Sequence, residues 1–219
     1  MSVGLLLIAA ALVLTGKNLY EEQDGAAQSA SALEVVQAQI RARLADSLGE
    51  DPENPGLTED GGTDGEVSIR RRPEWRAATI PDYQLNPEMQ MPEVKVLGDG
   101  YIGVLSIPAL GLELPVMSEW NYPNLRKAPC RYVGSAYLDN LVICAHNYDR
   151  HFGRIKSLAI GDKVVFTDTD GNVFNYHVAE QEILRPYASA EMKTGWDLTL
   201  FTCTIGGRTR VTVRCEKDE

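Results

Sequence analysis

The sequence predicts an all-β domain, a closed eight-stranded β-barrel with short helices, over residues 97–219 of the 219-residue chain. Two observations support this prediction. Apolar runs of four to eight residues are separated by Gly, Pro and Asp-Gly turn signals, as is typical of barrels and sandwiches. The last run alternates between polar and apolar residues, as a strand with one buried face does. The predicted strands cover 101–107, 112–116, 131–133, 141–146, 163–167, 173–184, 198–203 and 208–215.

The chain is acidic, but its acidity is uneven. It has 21 Lys and Arg against 31 Asp and Glu, a formal net charge of -10. Residues 1–96 hold 16 acidic and 8 basic residues, and residues 97–219 hold 15 and 13. A nucleic-acid partner is excluded because phosphate binding requires concentrated Lys and Arg. The four cysteines are too few for a disulfide-built scaffold.

Residues 1–20 are predicted to form a transmembrane anchor. Residues 3–15 are an almost unbroken apolar run, and a helix over 3–20 would be roughly 27 Å long, enough for a thin bilayer. The core of a signal peptide has a similar length. However, no basic residue precedes the run and the first small-x-small sites lie far downstream, which disfavours cleavage.

Residues 21–48 are predicted to form an amphipathic stalk helix, because apolar residues recur there at spacings of three and four. Residues 49–96 are interpreted as an acidic flexible spacer and lead-in. Their first part, 49–66, has seven acidic residues and no basic one, so it buries too little apolar surface to order itself. The apolar stripe of the stalk consists of Leu33, Val36, Ile40, Leu44 and Leu48.

Cys203 is the candidate nucleophile. It ends a predicted strand just before a Gly-containing turn, and the next strand carries arginines on its predicted outer face. Arg208 or Arg210 is placed to stabilise a thiolate at Cys203 by its positive charge. A buried, unreactive thiol is the alternative for any single cysteine. That description fits Cys130, Cys144 and Cys215.

His146 is the leading candidate for the acid–base group, because it ends an apolar strand at the start of a polar loop. His151 follows five residues later, and His177 lies in mid-strand, where a structural role is expected. The sequence predicts neither a metal site nor a cofactor, since it has no C-x-x-C or H-x-x-x-H pair. It also lacks the G-x-S-x-G motif of serine hydrolases.

The residues around these candidates resemble a known family. TLFTC at 199–203, followed by an arginine on the next strand, resembles the TLxTC signature of sortases, the cysteine transpeptidases of Gram-positive cell surfaces. Residues 101–116 resemble the first hairpin of that family, 144–158 its histidine strand, loop and short helix, and 161–178 its fifth and sixth strands. The resemblance covers roughly 97–217, in the family's order.

The resemblance implies a role for individual residues. Cys203 would be the nucleophile, and His146 would protonate the departing amine. Arg210 would steady the bound peptide and the tetrahedral oxyanion, although Arg208 and Arg214 share its predicted face. Thr202 would be a further contact to the substrate or the oxyanion.

The resemblance also implies an activity and a location. A sortase cleaves an LPxTG-like sorting signal through a thioacyl enzyme and passes the acyl group to an amine of a peptidoglycan precursor or a pilin lysine. We therefore expect a single-pass membrane protein with an extracellular barrel and an outer-face peptide groove, walled by residues 185–197. Two alternatives remain: a membrane-tethered β-barrel binding module with a structural cysteine, and a cysteine peptidase that transfers the acyl group to water.

Overall fold

The computed structural model describes residues 2–48, 80–193 and 195–218. The predicted acidic segment at 49–66 lies outside these residues. The helices are α1 (Ser2–Leu48), α2 (Asp82–Leu85) and α3 (Tyr122–Lys127), with 3₁₀ turns at Pro108–Leu110, Ala136–Leu138, Ile155–Ser157 and Glu191–Lys193. The strands are β1 (Val94–Val96), β2 (Asp99–Ile107), β3 (Leu112–Met117), β4 (Cys130–Val133), β5 (Leu141–Cys144), β6 (Lys163–Asp168), β7 (Val173–Leu184), β8 (Leu198–Cys203) and β9 (Arg210–Lys217).

Eight of these strands form a closed barrel, as predicted from the sequence. The strand order is β1-β2-β3-β4-β5-β8-β9-β7-β6, and β6 also pairs with β2, which closes the ring. The short strand β1 adds to β2 outside the ring. Most pairs are antiparallel, but β3–β4 and β5–β8 are parallel. The parallel β5–β8 pair brings together two segments that are far apart in the sequence.

The barrel interior is filled by its own side chains, as expected for eight strands. On β9, Val211, Val213 and Cys215 belong to this core, so the alternation in the sequence correctly identified the inward face. Phe166 of β6 and Phe174 of β7 are also in the core, with ring centroids 6.3 Å apart. Removal of this apolar surface from water is the main stabilising contribution to such a domain.

Residues 80–96, interpreted from the sequence as lead-in to the barrel, are packed against it. The ring of Tyr83 in α2 stacks on Tyr137 with centroids 4.7 Å apart, and Met91 is buried in the core. Because these apolar residues are isolated and follow no periodic pattern, the sequence did not indicate their burial. The packed domain therefore begins before residue 97.

The predicted anchor and stalk lie in one continuous helix, α1, whose second half packs against the barrel. Ala32, Val36 and Ile40 are buried in a second apolar cluster on the outer face, together with residues of β2, β3, β4 and β5. Gly25 permits a close approach, since a Cβ there would collide with the carbonyl oxygen of Arg126 in α3. The stripe that predicted a stalk is thus a docking face.

The beginning of α1 has a different environment from its second half. Leu7, Ile8, Leu12 and Val13 are all exposed. Within the part of the chain that the structure describes, no helix combines the length and the apolar character needed to cross a bilayer.

Candidate active site

Cys203 is the last residue of β8, and its partner in the antiparallel register with β9 is Arg210. Side chains directly opposite each other in such a pair lie on the same face of the sheet. That face is the outside of the barrel. The residues of β8 and β9 that point to the other face, such as Leu200 and Val211, belong to the interior core. The structure therefore places the predicted nucleophile and the predicted arginine side by side.

Cys203 differs from the other three cysteines in its exposure. It is half-buried, whereas Cys130, Cys144 and Cys215 are buried. Burial raises the pKa of Cys144 to about 12, with a smaller contribution from Cys203, and it raises the pKa of Cys215 to about 12. The pKa of Cys130 is raised in the same way, by burial first and by Cys144 second. These three groups remain thiols at neutral pH, so Cys203 is the cysteine that is suited to nucleophilic chemistry.

His146 reaches the same site from β5. The parallel register pairs Cys144 with Phe201, and the Ala145 amide donates to the Phe201 carbonyl at 3.2 Å, which extends the ladder beyond the end of β5. Continuing this register places His146 level with Cys203 on the outer face. The His146 ring contacts the ring of Tyr148, with centroids 4.8 Å apart.

Thr202 connects the two strands at this level. Its side chain is buried, and its hydroxyl donates a hydrogen bond of 2.8 Å to the Ala145 carbonyl. Because neighbouring side chains on a strand point to opposite faces, Thr202 does not share the face of Cys203. The hydrogen bond to Ala145 fixes the backbone next to His146. The contact between Thr202 and a substrate stays a prediction.

The three arginines that the sequence placed on one face have three different environments. Arg208 is exposed and lies in the turn before β9, where Gly206 (φ 83°) and Gly207 (φ 70°) adopt left-handed conformations that favour glycine. Arg214 is buried and forms an ion pair with Glu182. Only Arg210 lies opposite the cysteine, so the three arginines of the predicted outer face do not act together at Cys203.

The Arg210 guanidinium is held from one side. Its Nη1 atom donates to the carbonyl oxygens of Gly207 and Thr209, at 3.1 Å each. Among the residues that the structure describes, its Nε and Nη2 atoms have no hydrogen-bond partner. The group is thus oriented by the β8–β9 turn and keeps donors for a ligand.

A groove of about 210 Å³ runs along the outer face past Cys203 and Arg210. One wall consists of residues in and just before α3, the other belongs to the connection between β7 and β8, and the floor is formed by β4, β5 and β8. The walls and floor are mainly apolar and aromatic, as is typical of ligand sites. The lining includes Trp120, Tyr122, Leu125, Tyr132, Pro186, Ala188, Ser189, Met192 and Phe201.

The other two histidines have structural environments. His151 is buried, with its ring 5.6 Å from that of Tyr148, and its pKa is lowered to about 4 by burial and, secondly, by the charge of His146. His177 pairs with Asp218 at 2.7 Å and with Glu216 at 3.8 Å, at the opposite end of β9 from Arg210. Sequence reasoning missed the contact of Tyr148 with His146, and no spacing in the sequence indicated it.

Comparison with known proteins adds a family match. The family model described as the sortase domain matches residues 105–218, just over half of the chain. No curated protein sequence matches the chain significantly.

Two solved sortases have the same fold, with TM-scores of at least 0.50. Sortase C1 from Streptococcus agalactiae is 19% identical, with a TM-score of 0.51 over 67% of this chain and 79% of that one. Clostridium perfringens sortase D5 is 20% identical, with a TM-score of 0.50 over 63% and 88%. Sortase C1 of GBS pilus island 1 is 21% identical, with a TM-score of 0.48. The match covers 54% of this chain and 64% of the length of that sortase.

Proposed function

Because the chain belongs to the sortase family of cysteine transpeptidases, we propose that it cleaves an LPxTG-like sorting signal and joins the released acyl group to an amine. The observation that carries this proposal is the position of Cys203 directly opposite Arg210, at the level where β5 delivers His146. Cys203 and Arg210 then line the same groove, and the continued β5–β8 register brings His146 level with Cys203.

The first step forms the thioacyl enzyme. The Cys203 thiol loses its proton to His146, and the thiolate attacks the threonine carbonyl carbon of the sorting signal. The carbonyl oxygen becomes an oxyanion beside the Arg210 guanidinium, whose oriented N–H groups offer fixed donors. The imidazolium of His146 then protonates the departing nitrogen, the C–N bond breaks, and a thioester remains on Cys203.

The second step reverses these roles. An amine of a peptidoglycan precursor or a pilin lysine attacks the thioester carbon, and His146 accepts the proton that the amine loses. The tetrahedral intermediate again places its negative charge at Arg210, and its collapse restores the Cys203 thiol. Transfer to an amine rather than to water distinguishes a transpeptidase from a peptidase.

We also propose that the protein works at the outer surface of the cell membrane, attached through residues 1–20. The exposed apolar side chains of Leu7, Ile8, Leu12 and Val13 support attachment to a lipid phase. Sorting signals and peptidoglycan precursors meet at that surface, so an attached enzyme encounters both substrates.

The test is a turnover assay with LPxTG-type peptides, in the presence and absence of an amine nucleophile, with mass analysis of the products. We expect an amine-dependent product and an acyl adduct on Cys203. Release of the acyl group to water alone would identify a peptidase, and absence of any cleavage across a peptide library would leave the binding-module alternative.

Substitution of the nucleophile gives the matched control. Cys203→Ala is expected to abolish turnover completely and to leave the circular dichroism spectrum unchanged. Cys130→Ala, at a buried cysteine outside the site, should retain turnover. Activity in the Cys203→Ala protein would contradict the assignment.

A further inference from the structure

We propose that Arg214 is a positioning residue that holds one wall of the groove in place and thereby sets the affinity for the peptide substrate. The inference rests on the proposed function, since it concerns the same groove. It assigns a role to an arginine that lies outside the reacting centre.

Arg214 lies on the outer face of β9 but is only 2% exposed. Its Nε and Nη2 atoms contact the Glu182 carboxylate oxygen at 2.7 and 2.6 Å. Its Nη1 atom donates to the Thr199 hydroxyl at 3.0 Å and to the Met192 carbonyl at 3.2 Å, and Nη2 donates to the Glu191 carbonyl at 2.8 Å. One guanidinium thus joins three strands, β7, β8 and β9, to the 3₁₀ turn Glu191–Lys193.

These contacts require the shape of an arginine. A guanidinium carries five N–H donors in a planar fork, whereas a lysine ammonium offers three donors from a single point. Glu182 neutralises the buried charge. The two carbonyl acceptors, of Glu191 and Met192, belong to the short 3₁₀ turn. The turn Glu191–Lys193 covers Arg214, which is why this arginine is buried although it lies on the outer face of β9.

The turn that Arg214 fastens forms part of the groove. Met192 lines it, and the Met192 sulfur accepts a weak hydrogen bond from Thr212 at 3.8 Å. The Lys193 ammonium lies 6.0 Å from the centre of the Tyr132 ring on the floor. These two contacts are weaker than charged hydrogen bonds in a buried setting. Among the residues that the structure describes, Arg214 therefore makes the strongest polar link between this wall and the barrel.

The distance between Arg214 and the reacting groups predicts which kinetic constant changes when Arg214 is replaced. Arg214 pairs with Thr199 across the strands, and Arg210 pairs with Cys203. The four-residue separation along β9 amounts to about 13 Å at roughly 3.3 Å per residue. Loosening the wall removes interactions that the substrate makes equally in the ground state and the transition state, which raises KM and leaves kcat unchanged.

The experiment compares Arg214→Met and Arg214→Lys with Arg41→Met, a control at an exposed arginine of α1. We expect Arg214→Met to raise KM by about tenfold, the equivalent of one charged hydrogen bond, with kcat within about twofold of the parent. Arg214→Lys should restore part of the affinity, and Arg41→Met should leave both constants unchanged. A fall in kcat without a change in KM would overturn the proposal.

A second measurement needs no turnover. The amides of Met192 and Lys193 donate to the carbonyls of Ala188 and Ala190 at 3.0 and 3.1 Å, so their hydrogen exchange reports on the wall. We expect faster exchange at both amides in Arg214→Met and parental exchange in Arg41→Met. Equal exchange in the parent protein and both variants would overturn the proposal. An inactive parent protein would contradict the proposed function and leave this readout intact.

A milder variant covers the case in which Arg214→Met does not fold. Thr199→Val removes one acceptor from the guanidinium and leaves its charge paired with Glu182. We expect a rise in KM of about threefold and faster exchange at Met192. Unchanged KM and unchanged exchange in this variant would also overturn the proposal.

Discussion

Replacing Val36 with Ala tests whether α1 is part of the folded domain or stands away from it. The Val36 side chain is fully buried, at 0% exposure, between α1 and the barrel, whereas its neighbour Val35 is 46% exposed. Val35→Ala is therefore a matched control, with the same chemical change one residue away on the same helix.

The expected effect follows from the buried methyl groups. Two methyl groups at about 0.8 kcal/mol each, together with a cavity contribution, amount to about 2 kcal/mol of unfolding free energy at Val36. Both substitutions raise helix propensity by about 0.6 kcal/mol, which cancels in the comparison. The two variants should thus differ by about 2 kcal/mol, roughly a 30-fold difference in the unfolding constant.

Urea unfolding of the full chain, followed by tryptophan fluorescence and by circular dichroism, measures this difference. For a slope of about 2 kcal/mol per molar urea, the midpoint of Val36→Ala should lie roughly 1 M below that of Val35→Ala. Identical midpoints in both signals would show that α1 does not contribute its apolar stripe to the stability of the barrel, and the docking of the helix would be refuted.

Two further predictions concern titration. Alkylation with iodoacetamide at pH 8 should modify Cys203 well before Cys144 or Cys215, because a pKa of about 12 leaves about one thiolate in 10⁴ at the buried sites; equal rates, read by peptide mapping, would contradict this. Burial lowers the pKa of His151 to about 4 in the folded chain. The unfolded chain already takes up a proton at this residue as the pH falls below about 6.5, so the free energy of unfolding decreases on acidification through that window. His151→Phe should therefore reduce the loss of unfolding free energy between pH 7 and pH 4.5 by about 2.5 kcal/mol, and an unchanged pH dependence would exclude a buried neutral imidazole.

Strand β9 shows what the sequence can predict about the fold and what it cannot. Alternation correctly assigned Val213 and Cys215 to the interior, because the period of a strand is a local property. The same alternation assigned Arg214 to the outer face, which is correct, but its burial depends on the turn Glu191–Lys193 that covers it. Coverage by a distant segment has no local signature, so the arginine that the sequence grouped with Arg210 has a different environment.

The helix and the lead-in show the same limit. The spacing of Val36 and Ile40 predicted a helix with one apolar face, but spacing carries no information about what that face contacts. Tyr83 and Met91 were not identified at all, since single apolar residues in a polar segment have no period. The candidate site was more predictable, because Cys203 and Arg210 belong to one hairpin whose register follows from a short turn.

The parallel pairing of β5 with β8 has a consequence for how the candidate site is assembled during folding. Cys203 and Arg210 meet within a hairpin, whereas the bond between Thr202 and Ala145 spans 57 residues of sequence. Contacts between distant residues form late, because the entropy of closing the loop must be overcome first. A nascent chain thus holds a thiol beside an arginine but no imidazole beside either, and the three candidate catalytic groups come together only with the closed barrel.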